Sequence, residues 1–185
     1  MKVRILGGYL KGRVLKYPSS PDTRPTTGLV KEAIFSIIGE LKGKRVLDLF
    51  SSAGALGIEA LSRGAEYVVF VEKSSKTVKY LSQNLKELGI KTTAWIVHGD
   101  AIRFLKKNKE EFDVVFADPP YRKGYIEKLL NLVENSLKSH GIFIIEHESE
   151  KTVGTTKNLK KIKERKYGDT KITVFEKDSS LSGNL

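Results

Sequence analysis

The 185-residue sequence contains no cysteine, and this absence excludes several kinds of chemistry. Disulfide bonds, thiolate metal ligands and thiol nucleophiles are all ruled out. Methylation of cytosine at carbon 5, which generally depends on a cysteine nucleophile, is therefore not expected. The three histidines, His98, His140 and His147, lack the spacing of a metal site, so we also expect no metal.

Long apolar stretches are also missing. No run approaches the roughly 18 apolar residues of a membrane span, and residues 1–12 lack the pattern of a signal peptide. The hydrophobic and charged fractions, 39% and 30%, are typical of a globular chain. We therefore expect a cytoplasmic protein with no membrane partner. We also expect a monomer, although no sequence feature determines the oligomeric state.

Basic residues are concentrated towards the two ends of the chain. Residues 1–45 carry 10 Lys/Arg against 3 Asp/Glu and residues 151–185 carry 9 against 4, whereas the residues between them are nearly balanced at 14 and 15. Polyanion binding requires cations gathered on a surface, because phosphate neutralisation supplies most sequence-independent affinity. The distribution favours a nucleic-acid partner; the alternative is a solvated surface that only aids solubility.

The chain reads as a short hairpin followed by alternating strands and helices. Two short strands surround Gly7-Gly8, and a loop rich in Pro, Ser and Thr precedes a helix capped by Thr26 or Thr27. From residue 45, apolar strands alternate with helices, one of them at 125–138, and two extended runs meet at Gly168-Asp169. The pattern predicts an α/β fold: a mostly parallel, seven-stranded Rossmann-like sheet whose last hairpin is antiparallel, with a small N-terminal β-hairpin extension.

The predicted organisation has three parts. Residues 1–26 form a basic hairpin and loop, residues 27–177 form the main domain, and residues 178–185 form a disordered tail.

The segment VLDLFSSAGALGIE, residues 46–59, runs from a strand through a turn of small residues into a helix. In open α/β sheets, ligands bind beyond the carboxyl ends of the strands, and small residues let the backbone approach a ligand closely. Asp48 can reach into the same crevice. A dinucleotide fingerprint would need glycine at the position of Ser52, so a nicotinamide oxidoreductase is disfavoured. An ordinary tight turn is the alternative interpretation.

Two further acidic residues follow predicted strands. Glu72 ends the strand YVVFVE, where a carboxylate can accept hydrogen bonds from both ribose hydroxyls of a nucleoside. Asp100, in HGDA, could accept a hydrogen bond from an adenine amino group, could cap the next helix, or could do both.

The DPPY sequence at residues 118–121 is the most specific motif. An exocyclic amine on a base is a poor nucleophile, since its lone pair is delocalised into the ring. The Asp118 carboxylate and the Pro119 carbonyl can accept its two N–H hydrogens and so turn the lone pair towards an incoming methyl group. Tyr121 can stack on a base removed from its helix. The alternative is a rigid Pro-Pro turn.

Basic residues of the N-terminal segment fit phosphate contacts. They are Arg4, Lys11, Arg13, Lys16 and Arg24. For Arg24 the alternative is a place facing the cofactor or the catalytic pocket, and for the hairpin the alternative is a merely solvated surface.

Residues 45–177 resemble class I S-adenosylmethionine methyltransferases in strand order and motif placement. More narrowly, the chain resembles the RsmD family, bacterial guanine-N2 methyltransferases of 16S ribosomal RNA. The resemblance is carried by RILGGYLKGRVL, TRPTTGLVKEAIFSII, DLFSSAGALGIEALSRGA, FADPPY and YGDTKITVFEK.

The resemblance implies which residues act. It implies that S-adenosylmethionine is held by Asp48, Ser51, Ser52, Gly54, Glu72, Asp100 and Ala101. It implies that the target guanine is handled by Asp118, Pro119 and Tyr121, and that the basic hairpin binds ribosomal RNA of the small subunit.

Two positions depart from the family pattern. Ser52 stands at a usual glycine, and Gly28 replaces an aspartate of R-P-T-x-D. The alternatives to an rRNA methyltransferase are a DNA adenine-N6 methyltransferase, which shares DPPY, and a non-catalytic RNA-binding or assembly protein with a degenerate methyltransferase fold.

Overall fold

The structure, a computed structural model, describes residues 2–18, 26–121 and 124–178, with only the backbone of Lys2. Its strands are β1 (Lys2–Arg4), β2 (Val14–Lys16), β3 (Arg45–Leu49), β4 (Tyr67–Glu72), β5 (Ala94–His98), β6 (Phe112–Ala117), β7 (Leu137–Glu148), β8 (Leu159–Tyr167) and β9 (Thr170–Lys177). Its α-helices are α1 (Gly28–Ile38), α2 (Ala55–Ser62), α3 (Ser75–Glu87), α4 (Ala101–Lys107) and α5 (Tyr125–Val133). Single turns of 3₁₀ helix occupy Lys91–Thr93 and Glu134–Ser136.

Seven strands form one sheet in the order β5-β4-β3-β6-β7-β9-β8. The first five strands in this order are mutually parallel, whereas β9 is antiparallel to both of its neighbours, β7 and β8. The predicted fold class, a mostly parallel Rossmann-like sheet ending in an antiparallel hairpin, is confirmed. Chain order reverses between β3 and β6, and such a switch point is where open α/β sheets bind ligands.

Helices cover both faces of this sheet. Val46, Phe116 and Ile144 belong to the core shared with α1, α2 and α3, and the alternate residues Val115 and Ile145 belong to the core under α4 and α5. Burial on both faces explains why these strands are apolar almost throughout. It also fixes the side of the sheet on which each strand-end side chain lies.

The N-terminal hairpin packs on the face covered by α2 and α3. Strands β1 and β2 pair antiparallel, as predicted. The carboxylate of Glu59 on α2 is fully buried and accepts hydrogen bonds from the amides of Leu6 (2.8 Å) and Gly7 (2.7 Å). Apolar side chains of the hairpin join the same core as the helices. The functional division between residues 26 and 27 stays a prediction.

Three local predictions can be compared with the structure. Thr27, rather than Thr26, caps α1, since its Oγ1 accepts a hydrogen bond from the Val30 amide. The helix predicted over 125–138 is too long, because α5 ends at Val133 and the buried Leu137 pairs with Phe112 at the start of β7. The predicted disordered tail, apart from its first residue, lies outside the described residues.

None of the helices within the described ranges is long and apolar enough to cross a membrane.

Candidate active site

A cleft of about 710 Å³ opens at the carboxyl ends of the central strands. Seven of the ten residues predicted to hold the cofactor or the target base line it: Ser52, Glu72, Asp100, Ala101, Asp118, Pro119 and Tyr121. The other three predicted cofactor residues, Asp48, Ser51 and Gly54, lie in or beside the same turn but do not line the cleft. The register of the parallel strands therefore brings the four strand-end motifs of the sequence into one site.

The turn between β3 and α2 has an unusual backbone. Phe50, Ser52 and Gly54 all have positive φ angles, of 58°, 50° and 89°. Ser52 thus adopts a left-handed backbone conformation at the position where the family pattern that the sequence resembles has glycine. This conformation is sterically unfavourable for a residue that carries a Cβ atom. Its amide donates a 2.8 Å hydrogen bond to Glu72 Oε2, which ties the turn to the end of β4.

Asp48 supports this turn from behind. It is buried, and its Oδ2 accepts a 2.9 Å hydrogen bond from the amide of Gly57 in the first turn of α2. Burial raises the pKa of the Asp48 carboxyl to about 7, with the Gly57 bond opposing the shift and the charge of Glu72 adding to it. The side chain therefore positions the turn. Nearby, the amide of Ser51 donates to the Val71 carbonyl.

Glu72 and Asp100 each combine a structural bond with a place on the cleft. Glu72 Oε1 accepts a 2.7 Å hydrogen bond from the Ser74 amide beside the start of α3. Asp100 Oδ1 caps α4 by accepting from the amides of Ile102 and Arg103. Because each carboxylate oxygen has two lone pairs, these bonds leave acceptor capacity for a ligand.

The DPPY motif closes the cleft at the end of β6. Asp118 follows Ala117, and Pro119 and Pro120 continue the wall. The Tyr121 hydroxyl forms a 2.8 Å hydrogen bond with Thr170 Oγ1 at the start of β9. This bond fixes the phenol, so the last hairpin of the sheet positions the ring of the motif.

Several cleft residues were not predicted from the sequence. Phe50 and Tyr125 form an edge-to-face pair, with ring centroids 5.0 Å apart, in the cleft wall. Glu146, on β7, is only 8% exposed and lines the cleft beside the DPPY motif. The sequence feature that could have identified Glu146 is the one that identified Glu72: an acidic residue near the end of a predicted strand. The aromatic pair carries no comparable local signal.

Tyr17 connects the hairpin to the turn between β3 and α2. Its hydroxyl lies against the Ser52 side chain and the Ala55 amide, and burial raises its pKa well above the usual range, with the charges of Asp48 and Asp118 adding to the shift. The next residue, Pro18, lines the cleft. The end of the hairpin thus reaches the site itself.

Four of the five predicted RNA-binding residues are described by the structure, and these four do not line the cleft. Arg4 Nη1 donates to the Gly12 carbonyl within the hairpin, and both Arg13 and Lys16 contact Glu87 at the end of α3. These three side chains and that of Lys11 are exposed. Arg24 lies outside the described residues.

No group of three or more His, Asp or Glu side chains in the described part of the chain could hold a metal ion.

Comparisons with known proteins agree with this geometry. The family model "Conserved hypothetical protein 95" matches residues 3–176. Ribosomal RNA small subunit methyltransferase D of Buchnera aphidicola is 37% identical over 161 residues, covering 85% of this chain and 84% of that protein. The Escherichia coli protein yhhF has a TM-score of 0.85 and 31% identity, covering 96% of this chain and 99% of that one. SMU.776, solved with SAH bound, shares the fold alone, with a TM-score of 0.65, 17% identity and coverage of 77% and 47%. The chain therefore belongs to the RsmD family of ribosomal RNA small subunit methyltransferases.

Proposed function

We propose that this protein transfers a methyl group from S-adenosylmethionine to the exocyclic N2 of a guanine in small-subunit ribosomal RNA. One observation carries the proposal: Asp118 and Pro119 share a single cleft with Glu72 and Asp100, in a chain of the RsmD family. The ribosomal substrate comes from the name of a relative, and the amine chemistry comes from the motif.

The cleft has the size and chemistry to hold the cofactor. About 710 Å³ lies within the usual range for small-molecule sites, and the walls combine carboxylates with apolar side chains. Glu72 would bind the ribose hydroxyls and Asp100 with Ala101 the adenine, while the turn from Ser51 to Gly54 would face the methionine part. When bound, S-adenosylmethionine supplies an electrophilic methyl group on a sulfonium sulfur.

The DPPY residues prepare the amine. The Asp118 carboxylate and the Pro119 carbonyl accept its two hydrogens, so the nitrogen lone pair points at the methyl carbon and the positive charge that develops on nitrogen is stabilised. As the nitrogen forms its new bond, it gives up one of these hydrogens as a proton, and Asp118 would either accept that proton or only orient the amine. The anchored ring of Tyr121 offers a stacking face for the extruded base.

The N-terminal hairpin would bind the RNA backbone. Arg4, Lys11, Arg13 and Lys16 are exposed on one docked element, which suits phosphate contacts that orient the substrate without reading its sequence. We propose the same role, a contact with RNA phosphate, for Arg24. We propose that the protein acts in the cytoplasm, on its ribosomal substrate, as a monomer.

The test identifies the modified nucleoside. The protein is incubated with labelled S-adenosylmethionine and small ribosomal subunits from a strain lacking the modification, with unmethylated DNA in parallel, and each substrate is digested to nucleosides. We expect N2-methylguanosine from the RNA. N6-methyladenine from the DNA would instead support a DNA methyltransferase. Absence of cofactor binding would support a non-catalytic assembly protein.

A further inference from the structure

We propose that Glu146 is the residue that selects guanine, by accepting a hydrogen bond from N1–H of the target base. This inference rests on the proposed function, because it concerns how the same cleft recognises its substrate.

The sheet register places Glu146 beside Asp118. Phe116 pairs with Ile144 and Ala117 with Ile145 on the parallel strands β6 and β7. Asp118 is the first residue after β6 and Glu146 is the next residue of β7, so continuing the register by one residue puts the two level with each other. Neighbouring strands are about 5 Å apart, and level residues point to the same face of a sheet. On this register the two side chains leave the sheet on the face of Phe116 and Ile144, and both line the same cleft.

The surroundings of Glu146 suit recognition of a base. Glu146 is almost fully buried, and it lines the same cleft as Asp118, Pro119 and Tyr121. Hydrogen bonds to a carboxylate are stronger in such a low-dielectric environment than at a surface. In the proposed arrangement, a base whose amine is held by Asp118 and Pro119 turns N1, one of the two ring nitrogens beside the amine of guanine, towards β7.

Guanine and adenine differ at that ring nitrogen. Guanine carries a hydrogen on N1 beside its N2 amine. Its edge therefore offers neighbouring N–H donors to the proposed acceptors, which are Asp118, Pro119 and Glu146. Adenine has an unprotonated N1 beside its N6 amine, and its lone pair would face the Glu146 carboxylate. The DPPY motif suits either amine, whereas DPPY together with Glu146 fits only guanine. The glutamate attracts the correct base and repels the wrong one.

The test uses 2-aminopurine, which keeps the amine of guanine but has an unprotonated N1. Small subunits are reconstituted with a ligated 16S rRNA that carries guanine or 2-aminopurine at the modified position, and kcat/KM is measured for each. We expect the wild type to prefer guanine by at least about 100-fold. With 2-aminopurine, the unprotonated N1 would face the buried Glu146 carboxylate, and two hydrogen-bond acceptors cannot satisfy each other. Glu146→Gln should reduce this preference at least about tenfold, since its amide N–H can donate to the bare N1.

Glu150→Gln is the matched control, because it makes the same change at an exposed position just beyond β7. It should keep the wild-type preference. Thermal melting and S-adenosylmethionine affinity should be near wild type for both variants. If Glu146→Gln folds poorly, Glu146→Asp replaces it: the shortened carboxylate should keep the guanine preference while kcat/KM falls at least about tenfold.

An unchanged guanine preference in a folded Glu146→Gln, or an unchanged kcat/KM in Glu146→Asp, overturns the inference and leaves the proposed function standing. Loss of cofactor binding by Glu146→Gln also overturns it, because the residue would then act on the cofactor. Failure of the wild type to form N2-methylguanosine overturns the proposed function itself.

Discussion

Ser52 shows how a single residue can depart from a family pattern while the turn around it is retained. The family pattern identified Ser52 as a departure but did not reveal its backbone conformation, because a φ angle depends on how the whole turn between β3 and α2 folds. The structure gives Ser52 a φ of 50° and engages its amide with Glu72. The turn therefore keeps the positive φ angle that glycine adopts readily, although this conformation is sterically unfavourable for serine.

This conformation leads to a prediction about side-chain branching. Ser52→Val should reduce stability by about 1–2 kcal/mol and weaken S-adenosylmethionine binding, because a β-branched residue fits a positive φ poorly. Ser52→Gly should stay within about 1 kcal/mol of the wild type. Urea denaturation and calorimetric titration with the cofactor measure both effects. Equal behaviour of the two variants would show that the turn does not hold this φ angle in solution.

The buried Asp48 predicts a pH dependence of stability. Its pKa is raised from 3.8 to about 7 in the folded protein, so the folded state binds a proton more tightly than the unfolded chain does. The stability that this proton contributes is fully present below about pH 4 and is lost as pH rises to about 7. Asp48→Asn cannot titrate and can still accept the Gly57 hydrogen bond.

The stability of Asp48→Asn relative to the wild type should therefore increase between pH 4 and pH 7 and be constant above about pH 8. Urea denaturation across this range measures the difference. Asp113→Asn is a control of opposite sign, since hydrogen bonds from Lys138 and Arg45 outweigh burial and lower the pKa of Asp113. Parallel pH profiles for the wild type and Asp48→Asn would contradict the assigned shift.

At the scale of secondary-structure elements, strand ends were the most predictable feature. Glu72, Asp100 and Asp118 could be assigned to one edge because parallel strands bring their carboxyl ends together. The start of β7 was not predictable, since the pairing of Leu137 with Phe112 depends on residues 25 positions apart in the chain. Tertiary pairing outweighed the helical pattern there.

The docking of the N-terminal hairpin on α2 depends on Glu59. Its carboxylate also pairs with Lys31 Nζ at 3.1 Å, and Lys31 is only 1% exposed. Burial lowers the pKa of Lys31, and Glu59 opposes that shift. Glu59→Ala should lower the free energy of unfolding by about 3–5 kcal/mol, because it leaves a buried cation without its carboxylate.

Hydrogen exchange should also show loss of protection at the amides of Leu6 and Gly7 in Glu59→Ala. Glu66→Ala removes an exposed glutamate between α2 and β4 and should change stability by less than about 0.5 kcal/mol. Retained protection at both amides would mean that Glu59 does not anchor the hairpin.

At the scale of the whole molecule, the basic ends of the sequence predict a salt-dependent RNA affinity. If the exposed hairpin binds phosphate, Lys11→Ala should weaken subunit binding and reduce the slope of log K against log salt by about 0.7–0.9. Lys128→Ala, on the exposed side of α5 and therefore across the sheet from the hairpin, should leave the slope unchanged. Filter binding between 50 and 200 mM salt distinguishes them. Equal slopes for the two variants would exclude a phosphate contact by Lys11.

The most direct test of the whole account is the methyl-transfer rate of Asp118→Ala on unmodified small subunits, measured beside its S-adenosylmethionine affinity. The account predicts that kcat falls at least about 100- to 1000-fold, because the amine loses the acceptor that orients it, while cofactor affinity stays within about twofold. Near-normal methylation by Asp118→Ala would contradict the assignment of this cleft as the site where the target amine is methylated.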